Sequence, residues 1–218
     1  MVVSKRERRQ AARLGVLLRP ERSLWATGIG HIAGVDEVGV GPLAGPVLAA
    51  AVIMPRDVSL RGVDDSKKLT AALREELGEQ IRSMAVAVGI GIVSPEDIDR
   101  LNIYRAALEA MRRAVLALPL VPGHLLVDAR RIPGLELQQT ALIKGDSRSY
   151  SIAAASIVAK IERDRIMREL DGVYPQYGFR DHMGYATARH LAAIDRFGPS
   201  PVHRRSFAPV RELRLPGM

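Results

Sequence analysis

Acidic residues at three places stand where chemistry could be done: the adjacent pair Asp36-Glu37, then Asp128, then Asp146. Ile32-Ala33-Gly34-Val35 leads into the pair, Leu125-Leu126-Val127 into Asp128, and Ile143-Lys144-Gly145 into Asp146. Each site thus follows an apolar, strand-like stretch and precedes a glycine or a tight turn. A carboxylate at a strand end sits on the rim of a sheet. Several converging there repel one another unless a cation neutralises them. The chain has no cysteine and five scattered histidines, so an oxygen-only ligand set suits Mg²⁺ or Mn²⁺ far better than zinc. Taken singly, an acid after a strand is more often a solvated loop residue or a helix cap, and Asp146 is placed to be the N-cap of a following helix. The pair Asp36-Glu37 resists that reading. It runs into Val38-Gly39-Val40-Gly41-Pro42-Leu43-Ala44-Gly45-Pro46, where three glycines let the backbone approach a bulky ligand. The same residues also serve ordinary turns between strands.

The elements that must carry these acids follow from periodicity. A strand over 32–36 enters the glycine-rich turn. Residues 47–54 form a continuous apolar run, as in a strand covered on both faces. Thr70 is placed to cap a helix running to Met84, and 85–93 reads as a third strand. Ser94-Pro95-Glu96-Asp97 opens a helix with proline first and acids in its first turn. A longer helix over 103–118 stops before Pro119. Short strands at 125–127 and 136–141 precede a long helix over 149–170, whose first turns are small: Ser151, Ala153, Ala154, Ala155 and Ser156. Such a helix can lie close against a sheet. One more helix is expected over 186–197. This order indicates an α/β fold, a mixed sheet with helices on both faces.

Composition narrows the class. A net charge of +8 and an isoelectric point near 10.3 favour a polyanionic partner, although the bias toward arginine (the lysines are Lys5, Lys67, Lys68, Lys144 and Lys160) has a compositional explanation as well. Aromatic residues make up 4% of the chain, so base stacking is not the main recognition device. No apolar run reaches the length of a membrane span. The N-terminus is basic (Lys5, Arg6, Arg8, Arg9, Arg13), and the short apolar stretch at 14–18 is cut off by Arg19, which argues against a secretory signal. A cytoplasmic, monomeric protein without membrane attachment is expected.

Beyond the bare residue types, the run Ile32-Ala33-Gly34-Val35-Asp36-Glu37-Val38-Gly39-Val40-Gly41-Pro42-Leu43-Ala44-Gly45-Pro46-Val47 resembles the opening signature of the ribonuclease HII family. Further blocks fall in that family's order. They are Asp65-Ser66-Lys67-Lys68-Leu69, Val127-Asp128, and Lys144-Gly145-Asp146 with Ser151 to Ser156 and Lys160. Then come Tyr174-Pro175 through Tyr177-Gly178-Phe179 to His182 and Gly184-Tyr185. The terminal Gly198-Pro199-Ser200-Pro201-Val202-His203-Arg204-Arg205-Ser206-Phe207 resembles the bacterial branch. The resemblance covers about 21–210. It implies an RNase H-like fold, a mixed five-stranded sheet flanked by helices with a small helical C-terminal part at about 171–210. On this reading 1–20 is a basic extension, 21–210 the catalytic domain and 211–218 a tail. It implies that Asp36, Glu37, Asp128 and Asp146 are the catalytic and metal-binding carboxylates. Their expected partner is Mn²⁺ or Mg²⁺, in a two-ion hydrolysis of the RNA strand of RNA/DNA hybrids. The implied substrates include ribonucleotides embedded in duplex DNA, and the products carry 5′-phosphate and 3′-hydroxyl ends. RNA is told from DNA at the 2′-hydroxyl, and the resemblance assigns that task to the backbone of Gly39, Val40 and Gly41 and to Tyr185. Lys67, Lys68, Arg148, Lys160 and Arg163 are candidate phosphate contacts.

The chain departs from the family pattern at three positions. Val40 stands where arginine is usual, Met183 where lysine is common, and Ala129 where glycine follows the third acid. The first two remove cations near the expected substrate path, so altered affinity or junction preference is expected with the chemistry retained. Two other readings remain at this point: a hybrid-binding protein without catalysis, and another nuclease or transposase of the same fold class.

Overall fold

The computed structural model describes residues 4–212. Five strands, β1 (Ile32–Val38), β2 (Val47–Ile53), β3 (Ala87–Val93), β4 (His124–Asp128) and β5 (Gln139–Leu142), form one sheet in the order β3-β2-β1-β4-β5. β1 pairs antiparallel with β2, and β2 with β3. β1–β4 and β4–β5 are parallel. The parallel register sets Val35 beside Val127 and Asp128 beside Leu142, so β1, β4 and β5 all deliver their C-terminal ends to the same edge. The central position of β1 and the full burial of β2 agree with the uninterrupted apolar reading of 47–54.

Helices cover both faces. They are α1 (Lys5–Leu17), α2 (Arg19–Ala26), α3 (Ala71–Met84), α4 (Pro95–Leu101), α5 (Ile103–Leu116), α6 (Tyr150–Val173), α7 (Phe179–His182), α8 (Ala188–Phe197) and α9 (Ala208–Arg211). On one face α5 packs Ala106, Ala107, Ala110 and Ala114 over Ala33, Val35 and Ala49. On the other, α6 presents Ala154, Ala155 and Val158 to Leu48, Ala50 and Val52, with α3 and the N-terminal helices beside it. Small residues make both approaches close. A Cβ at Gly34 would sit 2.0 Å from the Ser151 carbonyl carbon, and one at Gly91 would sit 2.0 Å from the Ala110 carbonyl oxygen. A third cluster, with Leu43, Ala44, Met167, Tyr177, Phe179 and Ile194, joins α6 to the C-terminal helices, and an isolated bridge pairs Ala44 with His203.

Thr70 caps α3, and Ser94 caps α4 ahead of Pro95, as the sequence signals. Some ends shift by a few residues: α5 ends at Leu116, α6 runs on to Val173, and β5 begins at Gln139. The N-terminus is more ordered into the core than its basic composition suggests. From residue 5 on, the expected basic extension is helical, opened by a capping box between Ser4 and Glu7. Pro20 lies in the first turn of α2, where its missing N–H costs nothing. Leu17 and Leu18 are buried in the core, and the buried Glu21 carboxylate accepts from Ser149 Oγ at 2.6 Å and Ser151 N at 2.8 Å. Residues 5–26 therefore complete the core over the N-terminus of α6. The tail expected at 211–218 lies outside the described residues from 213 on.

Candidate metal and substrate site

Three of the four acids meet at the common strand edge. Asp36, Glu37 and Asp128 each offer an oxygen within 4.8 Å of the others. Asp36 and Glu37 are the last residues of β1 before Val38 and both still pair with β2, and their carboxylates nonetheless reach one centre with Asp128. Asp36 is turned inward at 6% exposure and accepts from the Glu37 amide at 2.8 Å, with the Ser156 hydroxyl near enough to favour its charged form. Asp128 Oδ1 accepts from the Gly145 amide at 2.6 Å, which ties the end of β4 to the turn carrying Asp146. Asp146 stands beside the trio, close enough for its charge to act on Asp36, within a 3₁₀ turn whose neighbour Lys144 is left-handed. It does not cap α6; Ser149 does.

The electrostatics of the cluster are unfavourable as they stand. Burial, followed by the charges of Glu37, Asp128 and Asp146, pushes the Asp36 carboxyl well above the usual carboxylate range. Burial and then Asp128 raise Glu37, while burial, Asp65 and Asp128 raise Asp146. Glu37 Oε2 is buried with no hydrogen-bond partner, a state that costs about 1–3 kcal/mol or more for a charged group. Carboxylate oxygens crowded together, one of them without a donor, are what a hard divalent cation satisfies. The residues present fit such an ion.

Around the acids lies the expected basic rim, in part. Lys67 and Lys68 sit on a 3₁₀ turn after Asp65, and Lys68 Nζ donates to Ser147 Oγ at 3.0 Å. Together with Asp65, Lys144, Asp146 and Ser147 they line a cavity of about 420 Å³. Arg148 is exposed and donates to the Ile143 carbonyl at 3.3 Å. Two candidates are corrected. Lys160 is taken up by an ion pair with Asp164 on its own helix. Arg163 is 1% exposed and spends its guanidinium on the carbonyls of Pro46, Met183 and Ala44, so it does not face solvent phosphate.

The expected recognition residues are brought together. Gly41 lies against Tyr185, whose Cε1 is 3.6 Å from where a Cβ would be, and Tyr185 is 49% exposed. Gly39 has a different reason to be glycine: φ is +89°, and a Cβ would fall 2.2 Å from Arg163 Nε. Sequence reading missed Ser156, which hydrogen-bonds Ser66 and favours the charged form of Asp36 from within the small-residue run of α6. It also missed Arg130, whose charge acts on Glu37 and whose guanidinium lies 4.6 Å over the Tyr104 ring. Only its nearness to Asp128 in sequence could have marked Arg130. Ala129, where the family pattern has glycine, is left-handed at φ +57°, which costs an alanine about 1–2 kcal/mol.

Comparison with known proteins follows the same lines. The sequence model described as Ribonuclease HII matches residues 33–210. A protein named Ribonuclease HII from Geobacillus thermodenitrificans (strain NG80-2) is 60% identical over 96% of this chain and 82% of its own length. One of the same name from Myxococcus xanthus (strain DK1622) is 55% identical over 97% of this chain and 73% of its own. Among solved structures, the ribonuclease H2 from Pyrococcus horikoshii OT3 superposes with a TM-score of 0.68 at 27% identity, covering 83% of this chain and 95% of that one.

Proposed function

We propose, given that this chain belongs to the ribonuclease HII family, that Asp36, Glu37, Asp128 and Asp146 hold the divalent ions of a hydrolysis directed at ribonucleotides. The chain is a metal-dependent endoribonuclease of the RNA strand of RNA/DNA hybrids, leaving 5′-phosphate and 3′-hydroxyl ends. When bound, divalent cations lower the pKa of an attacking water and offset charge on the exchanging oxygens. The protein's part is to hold and orient. Gly145 fixes the Asp128 carboxylate through its amide, and the Ser156 hydroxyl favours the charged form of Asp36. Lys67, Lys68 and Arg148 engage substrate phosphates, while Gly39, Val40, Gly41 and Tyr185 read the 2′-hydroxyl. Ribonucleotides embedded in duplex DNA are substrates too, and the catalytic unit spans about 21–210, with 171–210 as its helical C-terminal part. It acts as a cytoplasmic monomer; no helix among the described residues is long and apolar enough to cross a membrane.

The observation that carries this reading is the meeting of Asp36, Glu37 and Asp128 within 4.8 Å around an unpartnered Glu37 oxygen. Its test is digestion of a DNA duplex holding one ribonucleotide, with Mn²⁺, Mg²⁺ or chelator, mapping the ends. Cleavage at the ribonucleotide is expected, abolished by chelator. Asp128→Asn, which keeps an acceptor for the Gly145 amide, should lower the rate by 10²–10³-fold or more, on the order seen when one preorganised electrostatic partner is lost. Equal cutting of an all-DNA duplex, or full activity of the variant, would sink the reading.

A further inference from the structure

Two arginines lie fully inside the protein where the glycine-rich loop meets the C-terminal helices. Arg204 is 0% exposed and Arg163 1%. Arg204 donates from Nε to the Gly45 carbonyl at 3.0 Å, from Nη1 to Val40 at 3.1 Å and from Nη2 to Gly39 at 2.6 Å. Arg163 donates from Nε to Pro46 at 3.0 Å, from Nη1 to Met183 at 3.1 Å and from Nη2 to Ala44 at 3.1 Å. Among the described residues neither has a carboxylate within ion-pair distance. Burial pulls Arg163 down to about 10 and Arg204 to about 9, so both remain cations at neutral pH. Buried cations whose hydrogen bonds all go to main-chain carbonyls are costly to build, even with the Phe207 ring 5.1 Å from the Arg204 guanidinium, and the carbonyls they hold belong to just two segments: 39–46 and the turn before Tyr185.

The geometry of the peptide unit says what this does. In a trans peptide the C=O of one residue and the N–H of the next point in opposite directions. With the Gly39 and Val40 carbonyls drawn inward onto Arg204, the amides of Val40 and Gly41 are turned outward, on the side where Tyr185 stands over Gly41. Neither amide has a hydrogen-bond partner among the described residues. Arg163 meanwhile ties both segments to one planar group, taking Ala44 and Pro46 from the first and Met183 from the second. The glycines permit this. A Cβ at Gly39 would strike Arg163 Nε, and one at Gly184 would fall 2.6 Å from the Ala44 carbonyl oxygen.

We infer that Arg163 and Arg204 are positioning residues for sugar discrimination: their guanidinium groups fix the outward amides of Val40 and Gly41 at the separation from Tyr185 at which both reach one ribose. This rests on the proposed reading of Gly39–Gly41 and Tyr185 as the 2′-hydroxyl sensor. A lysine in either place keeps the charge but cannot address three carbonyls from one rigid fork, so Arg163→Lys and Arg204→Lys separate geometry from electrostatic attraction.

The test measures equilibrium affinity of the full chain, in the Asp128→Asn background, for a DNA duplex with one ribonucleotide and for the all-DNA duplex. Each lysine variant and Tyr185→Phe are added to that background, with Mn²⁺ affinity and the thermal midpoint followed alongside. We expect the ribo/deoxy affinity ratio to fall by about tenfold to a hundredfold in both lysine variants, the cost of a displacement on the order of an ångström. All-DNA and Mn²⁺ affinities should stay within about twofold. If Tyr185→Phe collapses the ratio while both lysine variants keep it, the positioning role is overturned and the sensor reading stands. If Tyr185→Phe also keeps the ratio, the sensor reading itself fails. A general loss of affinity for both duplexes overturns the inference in favour of a purely structural role. Should Arg163→Lys melt too low to measure, Arg204→Lys carries the same outcomes, since its side-chain donors meet only the 39–45 carbonyls.

Discussion

The carboxylate edge of the sheet and the arginine–histidine layer beneath the C-terminal helices both gather ionisable groups out of water, and they treat them in opposite ways. In the layer nearly every polar atom is matched. Arg163 and Arg204 each donate to three carbonyls, His182 bonds Tyr177 and Gly184, and His190 bonds Tyr185 and His203. At the edge, like charges face one another and Glu37 Oε2 has nothing. A satisfied buried network makes architecture, whereas crowded like charges without donors suit binding of an opposite charge. The two regions therefore differ in what a neutralising substitution should do.

The largest effect is expected at the edge. Asp36→Asn keeps an acceptor for the Glu37 amide but removes one of the repelling charges. Activity should fall by roughly 10²–10³-fold. In chelator the thermal midpoint should rise by about 2–4 °C, the shift that about 1 kcal/mol produces in a protein of this size. Saturating Mn²⁺ should reverse the order, because ligand binding stabilises the wild type more. Calorimetric melts in both conditions read this directly. A variant that melts below the wild type in chelator would show the edge to be as satisfied as the layer, and the contrast would fail.

How much of this was readable in sequence follows the same division. The edge was legible because its acids each end an apolar run, a pattern set by strand geometry that composition cannot disguise. Strands and helix starts were legible for a similar reason, as with Thr70 and Ser94, whose side chains do the capping. The layer was hidden. Arg163 in sequence is one arginine on a helix rich in them, and burial of a guanidinium depends on carbonyls contributed from more than a hundred residues away. Gly39 carried a second requirement that its sequence setting does not separate from ligand approach, the clearance for Arg163. The N-terminal helices were masked by their basic surface, although Leu14, Leu17 and Leu18 mark an apolar stripe that packs on the core. Asp146 lay beyond reach as a ligand or cap by itself, since its place is set by the Lys144 turn and the Gly145 amide.

A smaller effect, of opposite origin, is expected in the layer as pH falls. His190 Nδ1 meets the Tyr185 carbonyl at 2.8 Å and so carries the proton there; its Nε2 must then accept from His203 Nε2 at 3.0 Å, leaving His203 Nδ1 to accept from Ser200 N at 3.0 Å. Every nitrogen is used in the neutral form. Burial, and then the charge of His190, pull His203 down to about 4. A folded pKa below the unfolded one means that the unfolded chain binds more protons, so stability is full above about pH 6.5 and is lost as pH drops toward 4. The loss is about 1 kcal/mol by pH 5.5 and about 2–3 kcal/mol by pH 4.5. The raised carboxylates at the edge titrate with the opposite sign, so the quantity to read is the wild type minus His203→Gln difference in urea midpoint. That difference should shrink between pH 7.5 and 5.5. A constant difference would mean that the imidazole is not held neutral.

The smallest effect concerns the seam between the two regions, at Val40. Its carbonyl belongs to the layer, held by Arg204, while the residue is 39% exposed beside Gly41. Val40→Arg restores the cation usual in the family without disturbing the backbone that presents the amides. Met183 is a poorer place for the same experiment, because its side chain packs against the C-terminal core and its φ is +50°. One added phosphate contact on an exposed loop should steepen the plot of log affinity against log salt by about 0.9. At low salt it should tighten binding of a single-ribonucleotide duplex by about fivefold, close to 1 kcal/mol. The ribo/deoxy ratio should stay the same, since a phosphate contact positions both duplexes alike while the sugar is read by parts the substitution leaves in place. An unchanged salt slope would mean that the side chain at 40 never meets the substrate. A changed ratio would mean that the seam is not a seam, and that charge at the surface reaches the amides Arg204 was thought to hold.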